Sequence, residues 1–266
     1  MSVYEHEPRS SLKITLSVWR ALFIREALQR TMADRFSWFW MIAEPIAHVI
    51  LFIAIREILG KMRFIAGAEF IPWLVVGMMT FFVFREGFLR SIGAIEANKG
   101  LFSYRQVKPV DTVIIRALVE GLLKTFIFML LITGLSFVGV DCLPADPLSV
   151  ICIWFITWLL GLGVGLFFSA LNALVRETSI IVKMMSFPMY FISGVMFPLN
   201  FLSHDLRELV LYNPVLHLVE LNRGAFFESY APVYGINLGY VYWWVLASLA
   251  IGLLMHLRFE YRIKAA

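Results

Sequence analysis

The segment Gly93-Ala-Ile-Glu-Ala-Asn-Lys-Gly-Leu-Phe-Ser-Tyr-Arg-Gln-Val-Lys-Pro-Val-Asp111 separates two long apolar stretches of this chain. It carries an excess of basic residues, yet its middle contains the large apolar side chains Leu101, Phe102, Tyr104 and Val107. A simple connection between two apolar stretches is usually polar and has no need of such side chains. The segment is therefore predicted to dock on another protein, and the residues around it indicate the class of molecule to which it belongs.

The composition is that of an integral membrane protein. The chain has 266 residues, of which 60% are hydrophobic and 16% are charged, whereas a soluble domain is nearer half apolar and a quarter charged. Apolar runs of about twenty residues recur, and each is long enough to cross a bilayer as a helix. The sequence lacks the alternating pattern of a membrane β-barrel. The predicted fold class is therefore an all-α integral membrane protein.

Six transmembrane helices are predicted from these runs. Tryptophans near the start of several of them are placed as interfacial anchors, and three closely spaced glycines in the fourth allow a neighbouring helix to approach closely. Together the spans form a membrane domain over residues 36–259, followed by a tail at 260–266. The predicted spans are 36–59, 70–92, 112–138, 148–175, 179–197 and 236–257, and the glycines are Gly161, Gly163 and Gly165.

The N-terminal region, residues 1–35, is predicted to contain a helix that lies along the membrane surface. Its apolar residues share one helical face, and its basic residues lie mostly off that face. A basic helix whose apolar face includes a tryptophan suits the headgroup boundary of a bilayer; an ordinary soluble amphipathic segment is the alternative. The region has no uninterrupted apolar core, so no cleavable signal is expected. The apolar face consists of Leu12, Leu16, Trp19, Phe23 and Ala27.

The distribution of basic residues predicts the orientation of the chain. Lysine and arginine are concentrated before the first span, in the 93–111 segment, after the fourth span and after the sixth span. The other side has few basic residues, with acidic residues close by. The positive-inside rule therefore places both termini and the 93–111 segment in the cytoplasm.

Residues 198–235, on the outer side, are predicted to form two short helices that dip back into the membrane as a re-entrant pair. Ser203 is a candidate N-cap for the first helix. For the second, Asn213 suits the N-cap and Pro214 the first helical position, and Gly224 suits its end. Backbone at membrane depth must be covered by protein or line a water-filled path.

A row of charges in the third span provides the first candidates for a substrate path. Arg116, Glu120 and Lys124 have i, i+4, i+8 spacing and share one helical face, and Lys124 lies roughly 15 to 20 Å from the cytoplasmic edge. Charges at such depth are costly, so each needs a partner or a purpose. Two interpretations stay open: a buried ion-pair network that only holds helices together, or a basic face along an aqueous path for an anionic substrate.

Further charges lie at matching depths in the first two spans. Glu44 and Arg85 are at similar distances from the cytoplasmic edge and are matched as a pair, and Glu86 and Arg90 have i, i+4 spacing. His48 lies one turn from Glu44 on the same face, and a packed, hydrogen-bonded imidazole is the favoured interpretation of it.

Motifs for chemistry are missing from the sequence. There is no Gly-rich nucleotide loop ending in Gly-Lys-Ser or Gly-Lys-Thr, and there is no catalytic triad or nucleophile motif. Cys142 and Cys152 have neither metal nor redox spacing and are expected to be inert thiols. We therefore expect no metal, no cofactor and no reaction in this chain. An enzyme of polymer synthesis would need clustered carboxylates or histidines at one membrane face, and a passive channel would need no docking segment.

The order of these elements resembles that of an ABC-2-type permease: an interfacial N-terminal helix, six spans, a cytoplasmic segment between spans two and three, and a broken outer helix pair before the last span. The run from Asn98 to Pro109, with Asp111, is similar to the coupling segment of the capsular polysaccharide export permeases of Gram-negative bacteria. Tyr212-Asn213-Pro214 and the following Glu220-Leu221-Asn222-Arg223 resemble the outer motif of that family. The resemblance covers nearly the whole chain.

The resemblance implies a multi-pass protein of the bacterial inner membrane that pairs with a second copy of itself and with two ATP-binding cassette subunits, which bind ATP and Mg in the cytoplasm. It implies a lipid-linked polysaccharide substrate, commonly anionic, and periplasmic and outer-membrane export proteins that carry the polymer onward. No nucleic acid partner is expected. Export of O-antigen, of teichoic acid or of a smaller lipid or drug is the alternative.

Four groups of candidate site residues follow from these observations. The candidates for ATPase coupling are Glu96, Lys99, Leu101, Phe102, Tyr104, Arg105 and Val107. The candidates for the substrate path are Glu44, Arg85, Arg116, Glu120, Lys124 and Tyr190. The candidates for a lateral gate that admits the lipid anchor are Trp19, Arg20, Phe23 and Arg30. The candidates for the periplasmic exit are Asn213, Pro214, His217, Glu220 and Arg223.

Overall fold

The computed structural model of the protein describes residues 11–32, 35–59, 64–140 and 142–265, without the side chains of 56–59 and 265. The first ten residues of the predicted N-terminal region, and the last residue of the tail, lie outside the described residues. The described part is almost entirely helical. Its helices are α1 Ser11–Met32, α2 Ser37–Leu59, α3 Phe70–Ile92, α4 Ala94–Ala97, α5 Pro109–Phe137, α6 Pro147–Leu174, α7 Thr178–Ile192, α8 His204–Val210, α9 Pro214–Phe226, α10 Leu238–Arg258 and α11 Glu260–Ala265, with short 3₁₀ turns at Lys99–Ser103 and Leu199–Phe201.

A small hairpin connects α2 to α3. Its strands β1 Phe64–Ile65 and β2 Ala68–Glu69 are antiparallel, and the turn between them places Gly67 at φ +94°. A Cβ atom at Gly67 would also overlap the backbone of Ser229. Both facts require glycine at this turn, which holds the hairpin against the loop that follows α9.

Five helices in the described part are long and apolar enough to cross a membrane: α2, α3, α5, α6 and α10. Their bounds agree with the predicted spans to within a few residues. The predicted fifth span, 179–197, instead contains the 15-residue helix α7, which is shorter than the roughly 20 residues that a bilayer requires. The helix stops because the chain turns at Ser193 and then adopts a left-handed conformation, φ +67°, at Gly194.

The centre of the bundle is α3, in which every residue from Pro72 to Phe84 is buried. It packs against α5, α6 and α9, whereas α2 and α10 lie at the periphery with most of their surface uncovered. The predicted role of the α6 glycines is confirmed. A Cβ at Gly161 would lie 2.9 Å from the Phe84 carbonyl oxygen of α3, and one at Gly163 would lie 2.9 Å from the Leu249 nitrogen of α10. Glycine therefore lets α6 pack closely between two neighbours.

Helix starts follow the expected capping chemistry. Asp146 precedes α6, and its Oδ1 accepts the Ser149 N–H at 3.2 Å. Asn213 caps α9 by accepting the Val215 N–H at 3.0 Å, with Pro214 at the first helical position, as predicted. The prediction that Gly224 ends α9 is wrong, because the helix continues to Phe226. Gly224 instead makes room for Pro232, which would lie 2.8 Å from a Cβ at this position.

Candidate functional site

The coupling segment, residues 93–111, folds as α4, a 3₁₀ turn and a short extended stretch that leads into α5. Tyr104 is 65% exposed, whereas Leu101 and Phe102 are half-buried. Val107 is only 9% exposed, so this predicted contact residue packs inside the chain. The charged candidates Glu96, Lys99 and Arg105 are all exposed.

Polar contacts with α1 hold both ends of the coupling segment. At the first end, the Asn98 amide donates to the Ala94 carbonyl at 2.8 Å and to Glu26 at 3.2 Å, and its oxygen accepts from Arg25 at 2.8 Å. At the other end, Trp19 Nε1 donates to Asp111 Oδ1 at 2.9 Å. Helix α1 therefore bridges the entire segment.

The face that α1 turns toward α5 differs from the predicted apolar face. Leu22 and Glu26 are the buried residues of α1, whereas Leu12 and Leu16 are exposed. Of the lateral-gate candidates, Trp19, Phe23 and Arg30 are partly buried and Arg20 is exposed. Because few apolar side chains of α1 are covered, polar contacts dominate its attachment to the bundle.

Arg116 and Glu120, two members of the charged row on α5, pair with α1 instead of with each other. Arg116 donates to Glu26 from Nε at 2.8 Å and from Nη2 at 2.7 Å. One turn further, Glu120 Oε1 lies 2.7 Å from Nε of Arg30. The row is therefore the side of α5 that α1 covers at the 93–111 end of the bundle.

A second set of ion pairs connects α2, α3 and α5. Arg85 contacts Glu44 at 2.8 Å and Glu86 at 2.6 Å, and Glu86 contacts Arg90 at 3.2 Å. Arg90 in turn lies 3.8 Å from Glu120. The predicted pairs Glu44–Arg85 and Glu86–Arg90 are thus confirmed. Seven of these residues form a connected chain of ion pairs, and the Glu26–Arg116 pair lies beside it. We call the whole set the charged network: Glu26, Arg30, Glu44, Arg85, Glu86, Arg90, Arg116, Glu120 and Lys124.

Lys124 stands apart within the charged network. Its side chain is almost completely buried, its Nζ lies 3.9 Å from Glu44 Oε2 and 5.4 Å from the centre of the Phe82 ring, and it has no hydrogen-bond partner among the described residues. A buried ammonium group without hydrogen bonds is costly. Glu44, by contrast, keeps 36% of its side chain exposed, so the pair lies at the margin of the bundle.

The aromatic residues near this pair are closely packed. Tyr190 lies 5.1 Å from Phe81 between ring centres, and its buried hydroxyl also has no partner within the described parts of the chain. His48 Nδ1 lies 2.8 Å from the Glu44 carbonyl oxygen, which confirms the interpretation of this residue as a hydrogen-bonded imidazole.

A cavity of about 190 Å³ opens between α1, α3 and α5. Its charged lining has three guanidinium groups and two carboxylates, so it favours anions, and its volume exceeds that of several water molecules at about 30 Å³ each. It lies beneath the helix that carries the lateral-gate candidates. The lining residues are Glu26, Gln29, Arg30, Arg90, Arg116, Val119 and Glu120.

Of the candidates for the periplasmic exit, Arg223 is the centre of a buried set of polar contacts that includes Glu220. Its guanidinium carbon lies 3.5 Å from the centre of the Trp73 ring, and its nitrogens donate to the Gly194 and Val195 carbonyls at 2.8 and 2.9 Å. Glu220 contacts the same guanidinium at 3.0 Å. Arg223 therefore joins α9, α3 and the turn after α7, and it lies inside the protein instead of on an open path.

His217 does not join the Glu220–Arg223 pair. Its Nε2 lies 2.7 Å from the Leu211 carbonyl oxygen, and its Nδ1 accepts the Asn237 N–H at 2.9 Å. Burial lowers the pKa of His217, and an acceptor role for Nδ1 likewise favours the neutral ring. No cluster of potential metal ligands occurs in the described residues.

Sequence reasoning missed the residues of α1 and α5 that attach α1 to the coupling segment. These residues are Glu26, Asn98 and Asp111, and each lies outside the apolar spans, where a polar residue is ordinary. One signal was available for Glu26: it is the single acidic residue in a basic helix, four residues before Arg30.

Comparison with known proteins identifies the family. The model of the ABC-2 type transporter family matches residues 17–227. The polysialic acid transport protein KpsM of Escherichia coli is 36% identical over 93% of this chain and 95% of its own length. Two capsule polysaccharide export inner-membrane proteins are each 25% identical: CtrC of Neisseria meningitidis over 94% of both chains, and BexB of Haemophilus influenzae over 93% of this chain and 92% of its own. This chain is thus a transport protein of the membrane and belongs to the ABC-2 type transporter family.

Proposed function

We propose that the chain is the membrane permease subunit of an ATP-driven exporter that moves a lipid-linked capsular polysaccharide from the cytoplasm to the periplasm across the bacterial inner membrane. The observation that carries the proposal is the similarity, over more than nine-tenths of the chain, to proteins named for polysialic acid transport and capsule polysaccharide export. ATP and Mg are bound by two separate ATP-binding cassette subunits, and a second copy of this chain completes the pore.

The proposed topology has six spans with both termini in the cytoplasm. Helix α7 and the turn that follows it, together covering 178–197, form the fifth span, and α8 and α9 form the re-entrant pair on the periplasmic side. Basic residues at the 93–111 end support this orientation. Helix α1 then lies at the inner headgroup boundary, where exposed leucines such as Leu12 and Leu16 contact lipid.

The proposed coupling runs through the cytoplasmic segment 93–111. The ATPase subunits bind to its exposed side, where Tyr104 and the charged residues Glu96, Lys99 and Arg105 lie. Closure of the ATPases on ATP displaces the segment, and its two polar attachments to α1, at Asn98 and at Asp111, transmit that displacement. Helix α1 thereby moves relative to the cavity beneath it.

The proposed substrate path begins at this cavity. Arginines of α1, α3 and α5 line it, and guanidinium groups suit the phosphate or carboxylate of a lipid-linked anionic polymer. Lys124, deeper in the bundle, adds a positive charge that forms no hydrogen bond with the part of the chain that the structure describes. The charged network thus has two roles: its ion pairs join the helices, and its basic side chains provide a face for the substrate. At the periplasmic end, α8 and α9 shape the exit toward the periplasmic and outer-membrane export proteins.

A reconstitution experiment tests the proposal. The permease and its ATPase partner are placed in sealed vesicles, and the ATP-dependent appearance of capsular polymer in the lumen is measured. We expect transport that requires ATP and a glycan with its lipid anchor. Transport of the anchor lipid alone, or of O-antigen or teichoic acid in preference to capsular polymer, would replace the substrate assignment. No ATP-dependent transport of any of these would overturn the function.

A further inference from the structure

Helix α11 packs against α5, α6 and the end of α10, and its Ile263 shares an apolar cluster with α4. Its backbone continues from α10 through the Ile263 N–H, which donates to the Phe259 carbonyl at 2.9 Å, and Lys264 contacts Glu260 at 2.7 Å. The Ile263 side chain is completely buried, whereas the neighbouring Tyr261 is 90% exposed. The helix therefore has one anchored face and one open face.

The anchored face of α11 lies in the same apolar cluster as the base of the coupling segment. Ala94 and Ile95, the buried residues of α4, pack in one cluster with Ile263. Ile263 also lines the cleft between Glu96 and Lys99 of the segment on one side and Arg176, after α6, on the other. Helix α11 and the coupling segment thus share an apolar cluster to which α5 and α6 also contribute.

The open face of α11 extends the surface that the coupling segment presents. Tyr261 and Arg262 are exposed on α11, as Tyr104 and Lys99 are on the segment. Both parts combine an aromatic ring with a basic group, and such residues are enriched at protein contacts. Arg176 lines one small cleft with Glu96 and Lys99 of the segment and with Ile263 of α11, so α11 and the coupling segment border the same cleft.

We propose that α11 is a second docking element for the ATP-binding cassette subunit, positioned by Ile263 and contacting the partner through Tyr261 and Arg262. The inference rests on the proposed function, and it adds a surface contributed by the chain terminus to the coupling segment. We expect the partner's matching surface to be acidic, because the cleft has Lys99 and Arg176 against Glu96 and the exposed Arg262 adjoins Ile263 in the chain.

The test measures binding of the full-length permease, in detergent or nanodiscs, to the purified ATPase subunit. The double variant Tyr261→Ala/Arg262→Gln removes two exposed side chains, with the contact of Arg262 over the Phe259 ring at 5.9 Å, and leaves the buried Ile263 in place. We expect its dissociation constant to rise at least about fivefold, which is typical of losing interface aromatic and arginine contacts. A dissociation constant within about twofold of the unmodified protein's would overturn the inference.

A second comparison separates docking from general stability. Ile263→Ala removes the anchor of α11, and Ile127→Ala makes the same truncation at a buried position of the main core. We expect Ile263→Ala to weaken ATPase binding and Ile263→Leu to restore it, while Ile127→Ala lowers thermal stability without weakening binding. Equal weakening by Ile127→Ala and Ile263→Ala would contradict a specific role for α11. Absence of binding by the unmodified permease would instead refute the proposed function.

Discussion

Arg116 of α5 donates two hydrogen bonds to Glu26 of α1, from Nε at 2.8 Å and from Nη2 at 2.7 Å. The same carboxylate accepts a hydrogen bond from the Asn98 amide of the coupling segment at 3.2 Å. One buried carboxylate of α1 is therefore shared between a membrane-spanning helix and the segment on which the ATPase is proposed to act. Displacement of the segment must change the position of α1 or break these bonds.

Glu26→Gln is expected to destabilise the protein and impair transport. Removing one member of a buried ion pair leaves Arg116 without its charge partner, which typically costs about 3 to 5 kcal/mol. The change in unfolding midpoint, measured by thermal scanning in detergent, checks the stability effect. The exposed Glu208 provides the matched control Glu208→Gln, which should change little. Equal midpoints for the two variants would show that the Glu26–Arg116 pair contributes nothing.

Lys124→Met is expected to abolish transport without loss of stability. The substitution removes a buried ammonium group that has no hydrogen-bond partner in the described residues, and burial of such a group is costly. Its neighbour Glu44 stays paired with Arg85 at 2.8 Å and is 36% exposed, so no buried charge is left without a partner. ATP-dependent transport in vesicles and thermal unfolding are measured on the same preparation. Normal transport with reduced stability would assign Lys124 to helix packing alone.

Gly77→Ala is expected to disrupt the packing of Arg223 against α3. A Cβ at this glycine would overlap the Arg223 guanidinium, and overpacking of a closely packed core costs about 1 to 3 kcal/mol. Gly134→Ala in α5 is the control, since a Cβ there meets nothing within 4 Å and helix propensity favours alanine by about 1 kcal/mol. The unfolding midpoint should therefore fall for the first variant and stay or rise for the second. A midpoint for Gly77→Ala at or above that of the unmodified protein would contradict this packing.

Acidification is expected to destabilise the outer region through His217. Burial lowers the pKa of His217 in the folded state, whereas the ring has a pKa of about 6.5 in the unfolded chain. The stabilisation is therefore complete above about pH 6.5 and declines below it, because the unfolded state then binds a proton that the folded state resists. Unfolding midpoints at about pH 7 and about pH 5 measure the decline.

The His217 variants sharpen this pH test. His217→Gln should show a smaller decline than the unmodified protein, and substitution of the exposed His204 by glutamine should leave the decline unchanged. The prediction would be wrong if His217→Gln and the unmodified protein lost stability equally on acidification.

The sequence predicted the spans well because long apolar runs have few other structures available in a membrane. It also predicted the pairs Glu44–Arg85 and Glu86–Arg90, the first from matching depth and the second from helical spacing. The end of α7 was misjudged, since the apolar run continues past Ile192 while the chain itself turns at Gly194. Hydropathy reports polarity and contains little information on where a helix stops.

The sequence does not show which residues pair with the charged row on α5. Spacing places Arg116 and Glu120 on one face, but it does not show which helix covers that face. The covering helix proved to be α1, through Glu26 and Arg30. Similarly, the sequence predicts Arg223 as an exit residue, whereas its guanidinium is buried against Trp73. Such contacts between distant parts of the chain depend on tertiary packing, which local patterns do not encode.

Docking of an ATPase subunit on residues 93–111 is tested by measuring the affinity of the permease for that subunit after Tyr104→Ala. Tyr104 is 65% exposed, so its removal should leave the fold intact, and Tyr234→Ala, at a tyrosine that is 96% exposed elsewhere, is the control. We expect Tyr104→Ala to raise the dissociation constant about tenfold and Tyr234→Ala to leave it unchanged. Unaltered affinity for Tyr104→Ala, or no association of the unmodified chain with any ATPase subunit, would contradict docking on this segment.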